Sequence, residues 1–384
     1  MKKKIFAILL SFTILSTSII CYASEKNEIL EPTMIQDEWY DIIDSLSEEE
    51  YGGIYVEDNT LHIKPIDTEE SIKAMQEVSR RRSSDIIIDD TVAYSYGQLK
   101  EAQDRLFDHR KELDIDATEI RNMYNSIIVT AKEWDEEKKK TVKEIAGVDN
   151  IIFEVYNGDY YDSQSSTISV EDIIPMTYET YYIGSKISNS TQNDAPASTL
   201  GACAKSGSVE GFITTAHGNA LDDKMVGVAQ DVFGKIKKIQ MGGKIDAAFI
   251  AKESIGNIPL TNQIIIGKNS NGSYKTGTVS SAGGVIENAV LRYGNISGYS
   301  IAVVESTSWS GNWNGNLDPN NSYNDMIKLD IGTQSGDSGG PLFSMNSDGT
   351  YRIVGITKGT FNDGSGLATK WSNIANIFGV TIYK

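Results

Sequence analysis

The chain has 384 residues, of which 53 are acidic and 35 are basic, so its formal net charge is −18. This acidity argues against nucleic-acid binding, which requires basic patches. Two cysteines and three histidines exclude a disulfide-rich scaffold and leave no clustered ligands for a metal site. The sequence therefore implies no nucleic-acid partner and no metal or organic cofactor.

The first 23 residues have the pattern of a signal peptide. Three lysines at positions 2–4 precede an apolar stretch over residues 5–20, and Ala23 is a small residue suited to cleavage. The stretch is short for a membrane span, and no stop-transfer pattern follows it. Cys21 raises the alternative of a lipid anchor, although Ile20 is too bulky for the usual lipoprotein signal. We therefore predict secretion. Cleavage of the signal peptide would remove Cys21 and leave Cys203 as the one thiol, which is expected to be a small buried side chain.

Charge divides the rest of the chain near residue 180. Residues 24–180 carry 38 acidic and 16 basic side chains, whereas residues 181–384 carry 15 and 16. We predict that the acidic segment, residues 24–180, is a small α+β domain. Its patterns predict a hairpin around Asp58 and Asn59, helices over residues 69–82 and 97–113, strands over residues 126–130 and 151–155, and a helix capped by Asp135 and stopped by Gly147.

A polar junction over residues 157–180 ends the acidic segment. Because proteolysis favours exposed polar segments, we expect maturation between Ile173 and Ile183. Three arginines at positions 80–82 are a second candidate protease site, but a solvated helix end has the same pattern.

From residue 182 onwards, short β-rich runs are separated by Gly, Asn, Ser and Asp, which is typical of a barrel or sandwich. A closing helix is predicted over residues 371–378. Residues 306–324, rich in Asn, Gly, Ser and Trp, are predicted to form a long loop near the substrate. The β-rich runs are residues 211–215, 225–232, 247–251, 263–266, 299–304 and 353–356.

Ser338 lies in the glycine-rich turn of residues 336–341 and is the candidate nucleophile. A serine nucleophile needs a base, and the base needs an orienting acid. His217 is the candidate base, because the other two histidines precede residue 180. Asp246 is the candidate acid, since the apolar residues 247–250 after it would bury it beside His217, although it could also be an ordinary strand-end aspartate. The turn also fits the G-x-S-x-G pattern of α/β-hydrolases, but that fold places its histidine after the serine.

The same turn can supply an oxyanion hole. Glycine adopts positive φ and lets other groups approach the backbone. The N–H groups of Gly336 and Ser338 could then point to one place beside the serine oxygen, where negative charge develops in acyl transfer.

Residues 214–217, 246–250 and 336–342 together resemble the chymotrypsin-like serine proteases. Residues 292–299 further resemble the Arg-x-Gly-x-Thr-Thr-Gly-aromatic segment of the bacterial α-lytic protease and streptogrisin group. The resemblance covers about residues 180–384 and implies an all-β catalytic domain over residues 181–384, built of two antiparallel six-stranded β-barrels with the triad between them. It also implies that the preceding α+β domain is a pro-region. Gly218 and Gln334 stand where the family often has cysteines, and residues 356–360 depart from its Ser-Gly-Gly pattern.

Further roles follow only from this resemblance. Arg292 would form a structural ion pair with Asp337, so that a new amino terminus is not needed for activity. The base of the substrate pocket would be Gly332 and Thr333, and its walls would be residues 358–360, namely Lys358, Gly359 and Thr360. No acidic residue or histidine lies there, and we expect a medium or large apolar substrate side chain.

We therefore expect a secreted, monomeric serine endopeptidase made as a zymogen. Its partners would be protein or peptide substrates and its own pro-region, acting as inhibitor and folding aid. Two alternatives stay open: a catalytically silent homologue that binds proteins, such as an adhesin, and an esterase that uses the same site.

Overall fold

The computed structural model describes residues 34–35, 37–80, 85–155, 181–189, 197–227, 232–253, 259–287, 289–313 and 322–384. The predicted signal peptide, Cys21 and most of the expected maturation region lie outside these residues. So do two of the three arginines at positions 80–82. No helix within the described ranges has the length and apolar character needed to cross a membrane.

The N-terminal part, residues 34–155, combines helices with short strands, as predicted. Asp58 and Asn59 both have positive φ at the tip of the predicted hairpin. Asp135 accepts a hydrogen bond from the Lys138 amide, and Gly147 ends the same helix in the left-handed conformation. The elements are β1 Met34–Ile35, α1 Asp37–Ser45, β2 Tyr51–Glu57, β3 Thr60–Pro65, α2 Glu69–Arg80, β4 Ile86–Ile88, α3 Tyr96–Asp108, β5 Ala117–Arg121, β6 Ser126–Ala131, α4 Glu136–Ala146 and β7 Ile151–Val155.

The C-terminal part, residues 181–384, is almost entirely β-structure and ends in one helix. Its first elements are β8 Lys186–Asn189, β9 Ser198–Thr199, β10 Ala202–Ser206, β11 Val209–Thr214, β12 Lys224–Gly227, β13 Val232–Gly242 and β14 Ile245–Lys252. The later ones are β15 Gln263–Lys268, β16 Tyr274–Ala282, β17 Ala289–Gly294, β18 Gly298–Asn312, β19 Ser322–Leu329, β20 Pro341–Asn346, β21 Tyr351–Thr360, β22 Gly366–Lys370, α5 Trp371–Phe378 and β23 Thr381–Ile382.

These strands form two sheets. The first has the order β23-β10-β11-β14-β13-β12-β8-β9, and the second contains β1-β20-β17-β18-β19-β22-β21-β16-β15. One apolar core joins residues of both sheets, including Phe212, Phe249 and Phe343. The predicted all-β character of this part is confirmed. Cys203 is fully buried in β10 as a free thiol, as predicted, and burial raises its pKa to about 12.

The second sheet differs from the six-stranded barrel implied by the resemblance, because strands of the N-terminal part join it. Strand β5 pairs antiparallel with β18, with Ser308 opposite Ile120 and Gly311 opposite Ala117. β6 and β7 continue the sheet beyond β5.

The loop predicted over residues 306–324 is wrong at both ends. β18 runs to Asn312, and β19 begins at Ser322. The Asn- and Ser-rich composition suggested a loop, but β18 pairs with β5 on one edge and with β19 on the other, which satisfies its backbone groups.

Candidate active site

The two sheets bring His217, Asp246 and Ser338 towards one place. His217 lies three residues after the end of β11, and Asp246 is the second residue of β14. β11 and β14 are antiparallel neighbours in the first sheet, with Thr214 opposite Ala248. Ser338 comes from the second sheet, in the turn between β19 and β20.

His217 and Asp246 form the hydrogen-bonded pair predicted from the sequence. The His217 Nδ1 atom lies 2.8 Å from Asp246 Oδ2. The other carboxylate oxygen, Oδ1, accepts hydrogen bonds from the amides of Ala216 at 2.8 Å and His217 at 3.0 Å. These backbone bonds fix the carboxylate against the loop that carries the imidazole. Because Nδ1 faces a carboxylate, this arrangement leaves the Nε2 atom as the basic nitrogen.

Further donors surround the Asp246 carboxylate, whose side chain is fully buried. The Thr215 hydroxyl donates to Oδ1 at 2.8 Å, and Lys358 Nζ donates to Oδ2 at 2.9 Å. The Tyr323 hydroxyl lies 3.4 Å from Oδ2. Burial by itself would raise the pKa of Asp246, but the charges of His217 and Lys358 hold that pKa well below its ordinary value. The carboxylate is therefore ionised at neutral pH.

The turn that carries Ser338 is fixed by bonds to both sheets. The Ser338 carbonyl accepts from the Thr199 amide at 2.9 Å, and the Gly339 amide donates to the Thr357 carbonyl at 2.8 Å. Gly339 has φ +84°, and a Cβ there would lie 2.4 Å from Thr214 Oγ1. The space around the serine thus requires glycine at this position.

The Ser338 hydroxyl donates to the carbonyl of Lys358 at 3.1 Å. His217 Nδ1 is turned to Asp246, and no described contact joins the imidazole to Ser338 Oγ. In this structure the three residues therefore comprise a bonded His217–Asp246 pair and a serine held by strand β21.

The amides of Gly336 and Ser338, predicted to form the oxyanion hole, have no acceptor among the described residues. Gly336 has φ +99°, and its carbonyl is held by the Thr199 hydroxyl at 2.8 Å. Two unpaired amides two residues apart in one fixed turn are what anion binding requires.

The predicted ion pair between Arg292 and Asp337 is wrong. Arg292 Nε donates to Ser300 Oγ at 2.7 Å, and its Nη1 atom reaches the carbonyls of Ile331 and Gly332. Both residues are buried and share no direct contact, although the charge of Asp337 partly opposes the lowering of the Arg292 pKa by burial.

Asp337 is instead held by neutral donors. Its Oδ1 accepts from the amides of Ile296 at 2.8 Å and Ser297 at 3.0 Å. Its Oδ2 accepts from the Ser297 hydroxyl at 2.6 Å and the Gln334 amide at 3.0 Å. Four hydrogen bonds satisfy this buried carboxylate without a guanidinium.

The residues predicted to line the substrate pocket separate into two groups. Gly332, Thr333, Gly359 and Thr360 lie together, because Thr360 Oγ1 is 2.6 Å from the Thr333 amide and 2.5 Å from its carbonyl oxygen. Gly332 lies against Thr360, since a Cβ on it would be 2.2 Å from that side chain. The Lys358 side chain contacts Asp246, whereas its backbone carbonyl accepts from Ser338 Oγ, so only the backbone of Lys358 remains a candidate for the predicted pocket wall.

Solved structures of bacterial proteases are similar to this chain. A Nocardiopsis protease shares 20% sequence identity, and the match covers 53% of this chain and 98% of that chain at a TM-score of 0.42. Thermobifida fusca protease A shares 18%, with 53% and 98% covered, at a TM-score of 0.42. A glutamic acid-specific serine protease shares 18%, with 53% and 100% covered, at a TM-score of 0.43. No protein-family model and no curated protein matches the sequence.

Thr215, Tyr323 and Lys358 contact the Asp246 carboxylate, and the sequence did not indicate any of these contacts. Thr215 lies two residues before His217 in the sequence, but a threonine at that position has many possible hydrogen-bond partners. For Lys358, the one available signal was that residues 356–360 depart from the Ser-Gly-Gly pattern of the family that the sequence resembles. Among the described residues, no group of three His, Cys, Asp or Glu side chains could hold a metal ion.

Proposed function

We propose that this protein is a serine-type endopeptidase that is secreted and made as a zymogen. The support for a nucleophilic serine is geometric. A buried, ionised carboxylate orients one imidazole, and a serine in a rigid glycine turn carries two unpaired amides beside it.

In the proposed reaction, Ser338 Oγ leaves the Lys358 carbonyl and donates its proton to Nε2 of His217 as it attacks the substrate carbonyl. Asp246 keeps Nδ1 protonated and stabilises the imidazolium that forms. The amides of Gly336 and Ser338 receive the oxyanion. His217 then returns the proton to the leaving amine, and water releases the acyl group from Ser338.

The N-terminal part is proposed to act as the pro-region, an inhibitor and folding aid. Its strand β5 completes the edge of β18 in the catalytic part. Its Gln103 side chain accepts from the Ser308 hydroxyl at 2.7 Å and donates to the Ser308 carbonyl at 2.8 Å. Removing the N-terminal part would therefore expose the β18 edge to solvent and take from Ser308 the hydrogen bonds of Gln103. Maturation within residues 173–183 stays part of this proposal.

The observation that carries the proposal is the convergence of His217 Nδ1 and two loop amides on one buried carboxylate. The serine turn adds the amides of Gly336 and Ser338, which have no acceptor within the described ranges. The test is covalent labelling of the secreted protein by a fluorophosphonate, read by intact mass. We expect a single adduct on a fragment of about 200 residues, the size of a folded catalytic domain, in the wild type and none in Ser338→Ala.

An unlabelled, full-length secreted chain would contradict the proposal and favour the silent binding protein. Comparison of matched amide and ester substrates separates the endopeptidase from the esterase. An enzyme that cleaves only the ester would overturn the peptide-bond assignment while keeping Ser338 as the nucleophile.

A further inference from the structure

Lys358 is a buried cation directly beside the proposed triad. Its side chain is 5% exposed, and its Nζ atom lies 2.9 Å from Asp246 Oδ2, whose own side chain is 0% exposed. This oxygen is also the one that contacts His217 Nδ1 at 2.8 Å. The two nitrogens share one carboxylate oxygen and are therefore less than about 6 Å apart.

Two aromatic rings hold the ammonium in this position. Nζ lies 4.5 Å from the ring centroid of Trp313 and 4.7 Å from that of Tyr323. Such contacts stabilise a cation that has lost most of its water. Lys358 also touches the nucleophile, since its carbonyl accepts from Ser338 Oγ at 3.1 Å. One residue of β21 thus contacts both Asp246 and Ser338.

We propose that Lys358 is a positioning residue that sets the acid limit of the reaction by competing with the imidazolium of His217 for the Asp246 carboxylate. This inference rests on the proposed serine-protease function and adds a fourth side chain to its site.

The charge balance of the site explains the proposed effect. With Lys358 present, the charges of Asp246 and Lys358 cancel, so protonation of His217 gives the site a net positive charge. With an uncharged residue at position 358, protonating His217 would neutralise the site instead. Because both nitrogens contact the same buried carboxylate oxygen, the ammonium of Lys358 competes directly with an imidazolium at His217 for the charge of Asp246. The titratable groups that face Asp246 are His217, Lys358 and Tyr323.

The test measures the second-order rate of fluorophosphonate labelling against pH for the secreted protein. This readout reports the reactivity of Ser338 and does not depend on an unknown substrate. The acid limb is the pH range over which the labelling rate falls on acidification. We expect Lys358→Met to move this limb upward by about 1–2 pH units. A shift of this size is what the repulsion between two charges less than about 6 Å apart gives at an effective dielectric constant of about 20. Lys328→Met is the matched control, because it removes another largely buried ammonium that pairs with Glu305 and not with Asp246. Its limb should stay in place.

A second variant covers the case in which Lys358→Met does not fold. Lys358→Ser removes the charge but keeps a hydrogen-bond donor, and its acid limb should also move upward. A purely structural role would change the labelling rate at every pH by the same factor and leave the limb where it is, which would overturn the proposal. A wild type that does not label at any pH would overturn the protease function itself, and that outcome is distinct from labelling with an unmoved limb.

Discussion

Thr360 joins the wall of the proposed substrate pocket to its base. Its hydroxyl lies within 2.6 Å of the amide and carbonyl of Thr333, and its side chain lies against Gly332. The sequence predicts a medium or large apolar substrate residue in this pocket. We propose instead that the Thr360 side chain narrows the pocket, so that a small substrate residue such as alanine on the acyl side of the cleaved bond is preferred.

We predict that Thr360→Gly opens this pocket. The kcat/KM for a peptide with leucine or phenylalanine at the cleavage site should rise at least about tenfold relative to its alanine counterpart, in the range that a few added methylenes give. Paired fluorogenic peptides that differ only at that residue measure the ratio. A ratio equal to that of the wild type would show that Thr360 does not limit the pocket.

At the residue scale, the sequence predicted the His217–Asp246 pair because chain order and burial leave each residue few alternatives. It failed for Arg292 and Asp337. Asp337 faces the backbone amides of residues 296 and 297, and a main-chain donor is invisible in a residue pattern. It also missed the Lys358–Asp246 contact, since nothing local shows which way a strand lysine points.

At the scale of elements, local signals were sufficient wherever the element is determined by its own residues. The caps at Asp135 and Gly147 and the turn at Asp58 and Asn59 were read correctly from the sequence. The hairpin of β18 and β19 was not, because β18 also pairs with β5, nearly 200 residues earlier in the chain. Long-range pairing leaves little trace in composition.

A buried charge cluster joins helix α3, strand β19 and the end of β22. Asp325 Oδ1 contacts Lys100 Nζ at 2.6 Å and also Lys370 Nζ. Burial by itself would raise the pKa of Asp325, but Lys370 and Lys100 hold that pKa far below its ordinary value. The carboxylate is the shared counter-ion of two lysines that have largely lost contact with water.

We predict that Asp325→Asn destabilises the protein by about 3–5 kcal/mol, because it leaves two buried ammonium groups without a counter-ion. Denaturant unfolding measures the change. Asp90→Asn makes the same chemical change at an exposed site and should alter the free energy of unfolding by less than about 0.5 kcal/mol. Equal effects of the two variants would mean that solvent, rather than Asp325, compensates the lysines.

At the scale of the whole molecule, the acidity of residues 24–180 is partly used in contacts between the N-terminal and C-terminal parts. Glu119 lies 3.3 Å from Lys328, and Asp44 lies 3.7 Å from Arg352. The same Arg352 stacks over the ring of Tyr40 at 3.7 Å. Most acidic side chains with a described environment between residues 39 and 155 are exposed. These pairs nevertheless place charges of opposite sign across the contact. High ionic strength should therefore weaken the exposed ion pairs of this contact, such as the pair of Asp44 with Arg352, and should affect the buried pairs less.

Glu287 makes the same contact sensitive to pH. Its carbonyl accepts from the Val56 amide at 3.0 Å, and its Oε1 accepts from the Asn122 amide at 3.1 Å, so it joins the C-terminal part to two segments of the N-terminal part. Burial raises the pKa of Glu287 from 4.5 to about 8, against the opposing effects of the Asn122 amide and Arg121. The folded protein therefore keeps a proton on Glu287 that the unfolded chain releases near pH 4.5.

The stability of the folded state should consequently fall as pH rises from about 4.5 to about 8, because over that interval the folded state binds more protons than the unfolded chain. We predict that Glu287→Gln removes this loss, since an amide keeps its hydrogen bonds and does not ionise. Between about pH 5 and about pH 8, the melting temperature of the wild type should decline more steeply than that of Glu287→Gln. Glu70→Gln, at an exposed site, should follow the wild type. Parallel curves for the wild type and Glu287→Gln would show that Glu287 is already ionised in the folded protein. Packing and strand pairing would then stabilise the contact of the N-terminal part without this proton.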